Sequence, residues 1–261
     1  MIDVALPYPP AVILDDASRR DPVFFATRCG LTPDPWQADV LTSRAHQMLL
    51  NCSRQAGKST TSSLIALHAA LHGGPDPILL VSPSLRQSQE LFRKVKDAVH
   101  ALGVEADETS SLRMEFATGA RVIALPGNEA TIRGFSRVGL LVVDEASRVP
   151  DDLYYAVRPM LAVSGGRIVL LSTPFGRRGF FYKEWTEGGS AWHRVEIPAS
   201  DCPRIPVAWL AAERAAIGEW WYAQEYGCAF SDTTDQVFRT QDIEAALTDD
   251  VAPLFAGGDR G

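Results

Sequence analysis

Short apolar runs recur along the chain, each closed by polar or glycine residues, with amphipathic stretches between them. "TPDPWQADVLTSRA" reads as a short helix after a turn, and "HQMLLNC" as a buried strand running into Gly57-Lys58-Ser59. The next stretch, "TTSSLIALHAALHGG", sets Leu64, Leu67 and Leu71 on one helical face and stops at Gly73-Gly74. "DPILLVSPS" is a second buried strand, after which Ser84 and Gln87 form a capping-box signature. The helix it opens carries Leu91, Val95, Ala98 and Leu102 and ends at Gly103. "SLRMEFATGARVIALPG" alternates about a Thr-Gly turn, the pattern of a β-hairpin. "VGLLVVDEAS" and "GRIVLLSTP" predict two more buried strands, with a helix over "DDLYYAVRPMLA" between them and a candidate fifth strand at "WHRVEIPA". Residues 207–230 read as helical and aromatic. Strands alternating with helices predict an α/β fold, a mainly parallel sheet covered on both faces.

Composition narrows the class. The chain has 261 residues, 46% hydrophobic and 22% charged, enough for one large α/β domain with a small appendage. A net charge of −7 argues against a surface coated in nucleic-acid-binding cations, while leaving room for a local basic channel. Four scattered cysteines without C-x-x-C spacing fit a reduced, cytoplasmic protein with neither a disulfide framework nor a zinc site. "MIDVALPYPP" has no basic region followed by an apolar run, so no signal peptide is expected, and no apolar run approaches the about 18 residues of a membrane span.

The chemistry concentrates at strand ends. Gly57-Lys58-Ser59, between a strand and a helix, has the context of a phosphate-binding loop, but Cys52 stands where the usual opening glycine falls. Its backbone N–H groups would hold phosphate, Lys58 would reach the β/γ-phosphates, and the Ser59 hydroxyl would ligate Mg²⁺. Arg54 in the loop is either a further cation for a γ-phosphate or a solvated surface residue. Asp144-Glu145, closing "LLVVDEAS", forms a Walker B pattern: Asp144 to hold Mg²⁺ and Glu145 to polarise the attacking water. Ser172-Thr173-Pro174 ends another strand, where polar residues can sense a γ-phosphate, although a plain turn reads the same way. Arg133 reads alone as a surface residue. Trp36-Gln37 is either a base-contacting pair or a core Trp beside a capping Gln.

Taken in order, Gln37, "SRQAGKST", "RG", "VVDEAS" and "STP" resemble the ATPase half of the large terminase subunit of tailed bacteriophages, over roughly residues 22–240. That family's phosphate loop typically lacks the opening glycine and has the Ser-Arg-Gln-x-Gly-Lys form, so Cys52 is a family variant. "WYAQEYGCAFSDTTDQVF" resembles the segment where the family's ATPase lid runs into a linker, around Gln224-Glu225-Tyr226 and Phe230. The resemblance implies a P-loop NTPase (ASCE/RecA-like) fold, ATP and Mg²⁺ as cofactors, and ATP hydrolysis coupled to packaging of double-stranded DNA. Ser53, Arg54, Gln55, Ala56, Gly57, Lys58, Ser59 and Thr60 would form the nucleotide loop. Ser59 and Asp144 would hold the metal. Glu145 would be the catalytic carboxylate, Thr173 part of the coupling motif, and Gln37 the adenine contact. Arg133 matches the family's arginine finger, acting on a neighbour in a ring, with Arg54 as the candidate within its own subunit. Implied partners are DNA, the portal protein and the small terminase subunit. The setting is the cytoplasm of a bacterial host, with no membrane contact.

The expected domains are an arm over 1–20, the ATPase core over 21–200, a helical lid over 201–240, and a linker over 241–261. "PLFAGGDRG" looks like the first strand of the family's nuclease with its first aspartate, Asp259. One carboxylate cannot build a two-metal site, so no nuclease activity is expected. An excised domain, a truncated prophage remnant and a separately encoded nuclease all fit that ending. The isolated chain is expected to be a monomer. Two alternatives are a superfamily 2 helicase-like ATPase, which shares the Asp-Glu-Ala run, and an inactive remnant that binds nucleotide or DNA without turnover.

Overall fold

The computed structural model describes residues 16–127, 134–232 and 245–246. The strands are β1 (Gln47–Cys52), β2 (Ile78–Ser82), β3 (Asp107–Ser110), β4 (Arg113–Glu115), β5 (Arg121–Pro126), β6 (Leu140–Asp144), β7 (Arg167–Ser172) and β8 (Trp192–Ile197). They form one sheet in the order β3-β4-β5-β2-β6-β7-β1-β8. From β5 to β8 every neighbouring pair is parallel; β3 and β4 extend the β5 edge antiparallel. The hairpin predicted at Thr118-Gly119 is the β4–β5 pair, closed by Gly119 in a left-handed turn at φ 79°. The candidate fifth strand is β8, which pairs with β1.

The central strands carry apolar residues at successive positions because both sheet faces are covered. Alternate residues go to opposite faces. Met48, Leu50, Ile78, Leu80, Val142 and Val169 join one core, which also takes Phe25, Leu64, Leu67, Leu91 and Val95. Those last residues lie on α2 (Pro22–Arg28), α4 (Lys58–His72) and α5 (Leu85–Leu102). Leu49, Leu79, Val81, Leu141, Val143 and Leu170 face the other core with Leu153, Tyr154, Phe180 and Phe181. These belong to α6 (Asp151–Val157) and α7 (Gly179–Glu187).

The expected helix starts hold at α3 (Pro35–Thr42), α4 and α5, where the Ser84 side chain accepts from the Gln87 N–H and Gly103 ends the helix in the left-handed region. Residues 16–20, placed in the arm by the sequence reading, form α1 (Asp16–Arg20). Its Ser18 is buried, and the Ser18 carbonyl lies 3.2 Å from His68 Nε2 on α4. The region expected to be a lid holds two helices, α8 (Val207–Ile217) and α9 (Glu219–Glu225), separated by Gly218 at φ 81°. The chain then crosses to the far core, where Phe230 packs against Phe181, Tyr182 and Trp185. Among the described residues no helix is long and apolar enough to cross a membrane.

Candidate active site

The strand order decides what can meet. β7 lies between β1 and β6, so the residues after β7 stand between the loop that leaves β1 and the carboxylates that close β6. In open α/β sheets ligands bind beyond the carboxyl ends of the strands. At that edge Lys58 Nζ donates to Thr173 Oγ1 at 3.2 Å and pairs with Glu145 Oε1 at 3.2 Å. Ser59 Oγ donates to Asp144 Oδ2 at 2.9 Å. Lys58, Ser59, Asp144, Glu145 and Thr173, chosen from sequence separately, therefore form one constellation.

The loop is shaped to present N–H groups. Gln55 and Gly57 both take left-handed conformations, φ 62° and 94°. Successive turns of this kind form an anion-binding nest, here at the N-terminus of α4, whose first N–H groups have no intrahelical acceptor. Gly57 has a second reason to be glycine: a Cβ there would meet Gln37 Nε2 at 3.0 Å and Arg204 Nη2 at 3.1 Å. Gln55, Gly57, Lys58, Ser59 and Thr60 line an open cleft of about 290 Å³, with Arg54, Glu145 and Lys94 completing it.

Electrostatics at the cleft are set by burial and by close charges. Burial and the neighbouring Glu145 charge push the Asp144 carboxyl up to about 6, against the pull of Lys58 and Ser59. Burial lowers the Lys58 ammonium, but the Glu145 and Asp144 carboxylates outweigh it and hold the pKa above its ordinary value. Glu145 sits at φ 50°, ψ 43°, a costly conformation for a residue with a side chain and one that collects at functional sites. Behind it Ser147 Oγ lies 2.6 Å from Ser172 Oγ and donates to the Thr173 carbonyl at 2.7 Å. The carboxylate turn and the Ser172-Thr173-Pro174 segment are thus hydrogen-bonded to each other.

Other predicted residues stand elsewhere. Ser53 is fully buried and its N–H donates to the Ile197 carbonyl at 2.9 Å, so it anchors the loop to β8. Ala56 is buried beneath the loop, its carbonyl accepting from Arg204 Nη2 at 2.7 Å. Arg54 turns to the lid: its guanidinium pairs with the Glu225 carboxylate, and its N–H donates to the Glu225 carbonyl at 2.9 Å. Gln37, expected to read adenine, is buried behind the loop. Its Oε1 accepts from the Asp34 N–H and its Nε2 donates to Thr61 Oγ1, both at 2.9 Å. That is the geometry of the capping alternative, and it engages both ends of the amide once. Cys52 is fully buried at the end of β1, and burial raises its thiol well above the ordinary value, so it is an unreactive packing residue. Arg133 and Asp259 lie outside the described residues.

Two functional candidates carried no sequence signal. Arg204, just before the lid helices, joins Asp34 (Nη1 to Oδ2, 2.5 Å) to the Ala56 carbonyl. Lys94 reaches the cleft from α5.

A family model described as "Terminase large subunit, T4likevirus-type, N-terminal" matches residues 49–245. The chain belongs to the terminase large subunit family. Two curated large terminase subunits, from Thermus phage G20c and Thermus virus P23-45, are each 24% identical over 82% of this chain and 52% of their own length. The chain thus spans about half the length of those relatives. The Thermus phage P74-26 large terminase ATPase domain superposes with a TM-score of 0.73 at 20% identity, covering 81% of this chain and 99% of that domain. The large terminase of a thermophilic bacteriophage, solved in complex with ADP, gives 0.66 at 13% identity over 76% of this chain and 53% of that one. These likenesses establish the P-loop fold, and the family match favours the terminase reading over the helicase-like alternative.

Proposed function

We propose that this chain hydrolyses ATP with Mg²⁺ and that, in a ring of copies, hydrolysis drives double-stranded DNA into a procapsid. One observation carries the reading: the Ser59–Asp144 hydrogen bond lies beside the Lys58–Glu145 pair at the mouth of a phosphate-shaped loop. Among the described residues no group of three or more His, Cys, Asp or Glu could hold a metal. A hydroxyl and a carboxylate are hard oxygen donors, the small protein share Mg²⁺ takes when phosphates and water fill its other positions. When bound, the ion would neutralise charge on the β- and γ-phosphates.

The chain's own groups do the rest. Loop N–H groups and Lys58 hold the phosphates. A phosphate oxygen reaching Lys58 replaces Glu145 as its counter-charge, which frees that carboxylate to orient water and accept its proton. Loss of the terminal phosphate from Thr173 then passes through the Ser172–Ser147 contact and back to the Glu145 turn. By family resemblance, Arg133 supplies the finger to a neighbouring subunit, and the portal protein and small subunit are the docking partners.

The test is ATP turnover by wild-type protein at rising concentration, with and without double-stranded DNA. Turnover that climbs with both supports the motor reading. Turnover indifferent to DNA at every concentration removes the coupling, and nucleotide affinity undiminished by Lys58→Ala removes the site.

A further inference from the structure

Arg54 and Lys58, two of the cleft's cations, already have carboxylate partners: Arg54 has Glu225 and Lys58 has Glu145. Lys94 is different. It reaches the cleft from the middle of α5, and its Nζ donates to Thr60 Oγ1 at 3.2 Å. Among the described residues no carboxylate pairs with it. Glu90, one turn earlier on the same helix, is taken by Arg93 at 2.6 Å. A half-buried ammonium held by one hydroxyl at the rim of a phosphate-shaped cleft lacks a counter-charge, and an anionic ligand supplies one.

Its position says which part of the ligand. Lys58 Nζ lies with Glu145 and Thr173, the carboxylate end of the cleft, where the terminal phosphate must sit if Glu145 activates water. Ser59 turns to Asp144 at the close of β6. Thr60 follows them in the first turn of α4, and its hydroxyl accepts from Lys94 on α5. We infer that Lys94 is a second phosphate-binding residue, contacting a phosphate other than the terminal one. The inference rests on the ATP reading of the same cleft. It makes Lys94 a residue that grips substrate and product alike, since ATP and ADP share that phosphate.

The experiment is calorimetric titration of Lys94→Met with ATP and with ADP in the presence of Mg²⁺, beside wild type, Lys94→Arg and Lys58→Ala. A lost charge-assisted hydrogen bond costs about ten-fold in affinity. Both nucleotides should weaken by that factor in Lys94→Met, and Lys94→Arg should recover most of it. If ATP weakens while ADP does not, the contact is to the terminal phosphate and the assignment is overturned. Wild-type affinity in Lys94→Met with Lys58→Ala defective leaves Lys94 as a mere tie between α5 and α4, which also overturns it. Wild-type affinity in both variants overturns the nucleotide reading itself. Should Lys94→Met fold poorly by its melting curve, Lys94→Gln carries the same outcomes.

Discussion

Ser59 Oγ donates to Asp144 Oδ2 at 2.9 Å, joining the start of α4 to the end of β6. In the proposed reading these two oxygens would be the protein's share of the Mg²⁺ site. Asp144→Asn removes the charge and should raise the Mg²⁺ concentration needed for half-maximal hydrolysis by at least the roughly 10–100-fold typical of lost metal-site contacts. Ser59→Ala should shift it in the same direction. Mg²⁺ titrations of turnover check this; unshifted curves in both variants would remove the pair from the metal site.

Arg204 holds the loop from behind. With Asp34 fixing one of its nitrogens, another donates to the Ala56 carbonyl, one residue before the left-handed Gly57. Arg204→Ala should weaken nucleotide binding about ten-fold, as expected for one lost hydrogen bond to a charged group. Arg204→Lys should recover only part, because an ammonium cannot span both partners in the guanidinium's fixed fork. Equal affinity in Arg204→Ala and wild type would contradict the role.

Stability should fall in mild acid through His68. Burial holds its imidazole below the ordinary 6.5, with Arg167 and Arg44 adding repulsion against the carbonyls of Ser18 and Arg19. The folded state therefore resists the proton that the unfolded chain accepts. This stability is complete above pH 6.5 and is lost as pH falls below it, down to the folded value. Urea midpoints at pH 7.5 and 5.5 should drop less in His68→Gln than in wild type. Equal drops would show that other groups carry the loss.

Much of this was legible because the chemistry lies at strand ends and the strands are apolar throughout. "HQMLLNC" and "LLVVDEAS" announce both their burial and their polar exits, and the β7 position puts Thr173 between them. Arg204 and Lys94 were not legible. Each is one basic residue on an ordinary stretch, and only tertiary packing brings it to the loop. Gln37 was open to two readings, and the Asp34 capping contact shows that the capping role is filled. The helix α2 had its signal in Asp21, whose side chain accepts from the Val23 and Phe24 N–H groups, but the aromatic run obscured the period. The strand β3 carries Asp-Glu-Thr-Ser at a sheet edge, with no apolar alternation to betray it.

If Arg133 acts on a neighbouring subunit, two dead variants can complement. Mixed contacts place an intact Glu145 beside an intact Arg133, so Arg133→Ala with Glu145→Gln should exceed the sum of the separate rates. An arginine finger contributes about 10³–10⁵-fold in other NTPases, so each variant alone should be nearly inactive. Mixtures that stay at the sum while assembly is intact would pass the role to Arg54, released from Glu225.

The central claim is that Glu145 activates water while Lys58 and the loop bind phosphate. Single-turnover hydrolysis of pre-bound ATP by Glu145→Gln, with nucleotide affinity measured on the same sample, tests it most directly. ATP should bind as tightly as to wild type while hydrolysis falls about 10²–10⁴-fold. Hydrolysis at the wild-type rate in that variant would contradict the claim.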